Sequence, residues 1–348
     1  MITRESNIYS IMKGIAIIAV VMGHCSISCI EGFVNQFHLA VFYFLAGYFF
    51  KSDYVNSPWL FIKKRINRLY FPFIQYGTVF LLLHNIFCRL GLYDISSIYS
   101  LSDFARKELF MLLRFSSNEL FMGAMWFLGS LFFVSVSFLL LCKLSSYFKK
   151  GDWVLLVEVI ACLLLGRYAI SLGLPNPYSI YNTLMIVPIF YLGYVFKRYQ
   201  IFESYINLQT TFICLGILLI LYISGISIRL QPQSLPGNNL LLYLVISIMG
   251  VVMVYGISIL LQKNKVGKLV ALCGDLSFEI MALHFICFKL VTILQILVEG
   301  SDWNHLADFP VYSKNLLIWS PLYLLVGVVF PILLTLGYRN IKQSLIKK

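Results

Sequence analysis

The sequence predicts an all-α fold: a polytopic bundle of about ten membrane-crossing helices, with both termini in the cytoplasm. Three observations predict it. Only 12% of the residues are charged and 60% are hydrophobic, whereas a soluble domain carries about 25% charged residues. The apolar residues fall in runs close to the length that crosses a bilayer, about 20 residues. The lysines and arginines gather in alternate connections. In lipid the backbone must satisfy its own hydrogen bonds, so such runs are helices. Residues 1–348 read as one integral-membrane domain.

The first run, 8–28, has no polar side chain from Gly14 to Met22 and then meets His24. It is too long for a cleavable signal peptide, and no small-residue cleavage site follows it. The second run, 34–50, holds the aromatic stretch from Phe37 to Gly47, with His38 near its start. Gly47 lets a second backbone approach closely. A basic segment, Lys63-Lys-Arg-Ile-Asn-Arg-Leu-Tyr-Phe-Pro72, leads into the third run, 70–90. The polar insertion at 91–119 has room for a short surface helix. Trp126-Phe-Leu-Gly129 lies early in the fourth run, 120–142. Polar breaks separate the next four, 153–172, 180–196, 207–227 and 239–262. The ninth, 274–297, carries Glu279, His284 and Lys289, and the tenth is 316–338. No internal repeat is visible.

Orientation follows from the basic residues. With the N-terminus inside, 18 lysines and arginines fall in cytoplasmic segments and 7 on the opposite side. That asymmetry is the positive-inside pattern. It also accounts for the net charge of +12 and argues against a nucleic-acid partner. The eight cysteines lie in or beside apolar runs without a CxxC pair and read as small buried hydrophobes. Cys25 and Cys29, four apart on one expected helix face, have no third ligand in reach, so no metal site is expected.

An ionisable group inside an apolar run is costly and marks function by default. His24 lies roughly 24 Å along a helix that begins at Ile8, in the outer half of the bilayer. His38 follows a short outer loop at similar depth, so the two histidines can share a cavity. A neutral imidazole accepts a proton from a hydroxyl near neutral pH. Arg65 and Arg68, three apart, share a helix face, and guanidinium forks suit phosphates. Each feature also has a plainer reading: a hydrogen-bonded core histidine, a topology anchor, an interfacial tryptophan at Trp126. Glu279 and Lys289 read as a charge pair or as side chains reaching opposite surfaces.

Taken in order, these pieces resemble the acyltransferase-3 family of membrane acyltransferases. The matching pieces are Lys13-Gly14 through Gly23-His24, Phe37-His38 through Gly47-Tyr48, and Arg65-Ile-Asn-Arg68 ahead of Pro72. Trp126-Phe-Leu128 and the stretch from Ser277 to His284 match as well. The resemblance implies acyl-CoA, with acetyl-CoA expected, as a cytoplasmic donor. It implies a hydroxyl of a cell-envelope polysaccharide, or of its lipid-linked precursor, as acceptor, and a bacterial cell membrane as location. It places the essential histidine on His24, with His38 beside it, and donor binding on Arg65, Arg68 and Lys13. Trp126 and His284 are expected to position the acceptor. The chain departs from the family pattern at Ser10, where an acid is common, at Ala46 for a serine, at Met281 for a tyrosine, and at Lys13 for an arginine. Two other functions fit the same features: a flippase or transporter of polysaccharide or lipid-linked sugar, and an accessory subunit of a synthase.

Overall fold

The computed structural model describes residues 4–226 and 239–346. Arg229, Lys347 and Lys348 of the charge pattern, and the side chain of Cys29, lie outside what is described. The described residues form helices and turns with no strand. In chain order the helices are α1 (Arg4–Gly23), α2 (Ser28–Val34), α3 (His38–Tyr48), α4 (Pro58–Arg65), α5 (Phe71–Arg89), α6 (Leu101–Arg114), α7 (Trp126–Ser145), α8 (Gly151–Ser171), α9 (Ile180–Arg198), α10 (Ile201–Tyr205), α11 (Leu208–Ile223), α12 (Leu240–Leu261), α13 (Lys265–Asp275), α14 (Ser277–Glu299) and α15 (Leu316–Ile346).

Among the described residues, seven helices are long and apolar enough to cross a membrane, and two shorter apolar ones cover Ile8–Gly23 and Leu208–Ile223. The apolar runs therefore become helices, but several start or stop elsewhere than expected. The first run stops being helical at Gly23, and Ser26 turns the chain with a φ of 58°. Cys25 and Cys29 consequently lie in a turn and in a separate helix, not on one helix face. The second run is interrupted at 35–37, leaving α3 only 11 residues long. Asn35 and Gln36 occupy the break: asparagine side chains compete with the helical ladder, and the Gln36 amide donates to the distant Ile226 carbonyl. The third begins earlier than 70, because α4, a wide turn at Ile66–Tyr70 and α5 run on continuously from Pro58 to Arg89. The insertion holds the expected surface helix, α6, opened by a capping box between Ser100 and Asp103.

The helices group into two compact units. In the first (residues 1–34, 74–125 and 261–348), α1 packs along α13 and α14 packs along α15. Two glycines set the α1–α13 spacing: a Cβ on Gly14 would fall 1.9 Å from the Val270 carbonyl oxygen, and one on Gly274 would fall 1.8 Å from that of Ser10. Small residues at such contacts let backbones meet, as is common between membrane helices. The second unit (residues 35–73 and 126–260) centres on α9, packed by α3, α7 and α8. Gly47 does admit a neighbouring backbone there, since its Cβ would fall 1.9 Å from the Phe190 carbonyl oxygen. Phe50, Phe138 and Phe190 pack against one another in its core, with centroids 4.9–6.1 Å apart.

Candidate active site

The first unit brings two of the sequence-predicted residues together. His24 sits one residue past the end of α1, on a turn held by its own N–H to Val21 O (3.0 Å) and by Cys25 N–H to Met22 O (3.2 Å). Ser320 on α15 donates to the Cys25 carbonyl at 3.0 Å and ties the turn to the bundle. The half-buried His24 ring lies 5.4 Å from the His284 ring at 26°. Phe285 stands edge-on to His24 at 4.8 Å and 4.1 Å from His284.

His284 is fully buried, and its Nδ1 lies 3.0 Å from the carbonyl oxygens of both Ile280 and Met281. Carbonyls only accept, so Nδ1 carries the hydrogen and the neutral ring presents a bare Nε2. That nitrogen is buried with no hydrogen-bond partner. An unsatisfied buried acceptor costs about 1–3 kcal/mol, and such a group calls for an explanation. Lys13 lies on α1 ten residues before Gly23, which is roughly 15 Å of helix. It belongs to the other end of α1.

The departure at Ser10 has a structural counterpart. The Ser10 hydroxyl donates to Asp275 Oδ1 at 2.7 Å, so a carboxylate from α13 stands where the sequence offers a serine. Glu279 and Lys289 do not pair with each other. Glu279 takes Arg339 at 2.7 Å, and the Lys289 ammonium donates to the carbonyls of Leu306 and Asp308. They lie ten residues apart on α14, roughly 15 Å along the helix, which excludes the charge-pair alternative.

The second unit holds the remaining predicted residues. His38 is buried at the first turn of α3. Trp126 opens α7 with its ring 6.5 Å from Phe127. Arg65 lies over the Phe61 ring at 5.0 Å, and Phe61 packs on Phe50 at 5.3 Å, just past the end of α3. The arginine is therefore separated from His38 by the length of α3, roughly 15 Å. The wide turn beginning at Ile66 leaves Arg65 half-buried and Arg68 exposed. Near this basic surface, a cavity of about 580 Å³ is lined by Phe50, Lys51, Ser52, Asp53, Tyr194, Lys197 and Arg198.

Sequence reasoning missed one ionisable cluster. His84 on α5 is buried against Glu119, with Nδ1 2.9 Å from Oε2, while its Nε2–H donates to the Ser97 carbonyl at 2.8 Å. Tyr99 stacks flat on the ring. The signal was a histidine in an apolar run, but its partner lies 35 residues on, past the surface helix of the polar insertion.

Searches of curated proteins and of solved structures returned no match. The family comparison did: the acyltransferase-3 profile, described as an acyltransferase domain, matches residues 8–336. That interval contains both histidines of the stacked pair, the basic segment of α4 and nearly all of the apolar helices, so the chain belongs to the acyltransferase-3 family of membrane acyltransferases.

Proposed function

We propose that the protein transfers an acyl group, acetyl in the first instance, from acyl-CoA to a hydroxyl of a cell-envelope polysaccharide or its lipid-linked precursor, in a bacterial cell membrane with both termini cytoplasmic. The observation that carries this reading is the stacked pair of His24 and His284, with a bare imidazole nitrogen buried beside a half-buried ring. His24 takes the proton of the acceptor hydroxyl. The oxygen attacks the thioester carbonyl, the carbon–sulfur bond breaks, and the leaving thiolate takes the proton back from the imidazolium. His284 Nε2 accepts a hydrogen bond from the same sugar and orients it. His38 and Trp126 act on the acceptor side, from the heads of α3 and α7.

The donor's phosphates are assigned to Arg65 and Arg68, with Lys13 as a further cation. Guanidinium forks match phosphate oxygens, and the neighbouring cavity is lined by Lys51, Lys197 and Arg198 against one carboxylate, Asp53, with the aromatic rings of Phe50 and Tyr194. His24→Ala is expected to abolish acyl transfer at unchanged protein level, read as loss of an acetyl increment in glycan mass spectra. Full acylation by that variant removes His24 as the base. Replacing Arg65 and Arg68 together by alanine is expected to weaken coenzyme A binding about tenfold or more. Wild-type protein that binds no coenzyme A at all would favour the flippase reading instead.

A further inference from the structure

The connection between α14 and α15 does not simply cap the bundle; it folds back along α14. Lys289 lies ten residues before the end of α14 at Glu299, roughly 15 Å down the helix. Its buried ammonium nevertheless donates to the backbone carbonyls of Leu306 and Asp308, in the middle of the connection. Leu306 and Tyr312 pack with Ile296 of α14 in one buried cluster. Gln295 donates to the Lys314 carbonyl at 2.6 Å, and Tyr323 of α15 donates to Gln295 at 2.9 Å. Irregular backbone at this depth is tolerated only inside protein or along a water-filled cavity. Here polar side chains of a membrane-length helix supply its partners, at the expense of burying a lysine.

The returning segment delivers Phe309 onto Phe285, with ring centroids 4.7 Å apart. Phe285 is the ring that stands against both His24 and His284. Phe285 is 2% exposed, while Phe309 keeps 38% of its surface open. Gly123 lies against the two rings without covering them: a Cβ there would stand 3.3 Å from Phe285 and 3.5 Å from Phe309. A lysine placed in an apolar helix to hold a loop, and a loop that ends in an open aromatic face one ring away from the histidines, point to a purpose beyond closing the chain.

We infer that Phe309 is a stacking platform for a pyranose ring of the acceptor, and that Lys289 is the residue that positions it. The inference rests on the reading of the acceptor as a glycan. The C–H face of a pyranose carries partial positive charge and meets the negative face of an aromatic ring. A sugar seated on Phe309 brings its hydroxyls toward the His24–His284 pair, with Phe285 as the floor between them.

The test uses the full chain in lipid nanodiscs and a panel of methyl pyranosides, with saturation-transfer NMR for sugar binding and coenzyme A titration as a separate readout. Wild-type protein is expected to saturate the ring protons of at least one pyranoside. Phe309→Ala is expected to weaken that sugar about tenfold, and Phe309→Trp to retain it, both with coenzyme A affinity unchanged. Lys289→Met should lower sugar affinity as Phe309→Ala does, and Lys289→Arg should restore it. Equal sugar binding by Phe309→Ala and wild type overturns the platform and leaves acyl transfer standing. Loss of coenzyme A binding in Phe309→Ala also overturns it, because the residue then supports the fold and not a subsite. A wild-type protein that binds coenzyme A but no pyranoside removes the glycan acceptor and the platform together.

Discussion

The hydrogen bonds around His84 count its protons. Nε2–H is committed to the Ser97 carbonyl, so the 2.9 Å contact between Nδ1 and Glu119 needs one more hydrogen, shared by ring and carboxyl. The pair is neutral overall whichever atom holds it. A glutamine at 119 can donate an amide hydrogen to Nδ1 and keep the contact with the ring. Glu119→Gln is therefore expected to leave the thermal midpoint in detergent nearly unchanged. Glu119→Leu strands Nδ1 and should lower stability by about 1–3 kcal/mol. Equal losses for the two variants would show that the contact works by size alone. The residues most visible in the sequence were those whose chemistry stands out against an apolar background, His24 and His284. Their relation was less visible. The bare Nε2 of His284 depends on carbonyls three and four residues back along α14, and ring stacking between positions 24 and 284 has no sequence period. His84 escaped because its meaning lies in a partner 35 residues away.

Helix α6 shows how much an element's end contributes. Its capping box joins the Ser100 hydroxyl to the Asp103 N–H and the Asp103 carboxylate to Ser100. Hydrogen bonds from the Ser100 hydroxyl and backbone hold the Asp103 carboxyl below the usual aspartate range. A depressed folded-state value means that the cap is at full strength above the ordinary aspartate value, about 3.9, and is lost as pH falls through the depressed one. Hydrogen exchange in the first turn of α6 should therefore accelerate, relative to α14, only on acidification below that range. An Asp103→Asn protein should show much less of this pH dependence. The ends of α1 and α3 were harder to read than their middles. Hydropathy fixes where a helix can lie, but a left-handed Ser26 and the amides at 35 and 36 decide where it stops. For the same reason periodicity could not show the wider winding from Ile66 to Tyr70, because it assumes an α-helix throughout.

At the scale of the molecule, hydropathy and charge carried the class of fold. Among the described residues, seven helices of membrane length follow from apolar runs that any transfer scale would find, and the family profile spans nearly the whole chain. What composition could not convey is the division into two compact units assembled from non-contiguous segments, because that depends on which helix faces pair. The proposed orientation makes its own prediction. A fluorescent protein fused after α15 should fold and fluoresce on the cytoplasmic side, and an alkaline phosphatase at the same point should stay inactive; the reverse pattern would invert the bundle and place Arg65 away from any cytoplasmic donor. The contact of α1 with α13 has a further consequence. With Gly14 and Gly274 pressed against opposing carbonyls, each position tolerates only the smallest residue, whatever selection acts on the reaction. In a saturation library screened merely for folded protein in the membrane, both codons should come back as glycine, while Ser10 and Asp275 between them remain free to vary until the screen asks for turnover.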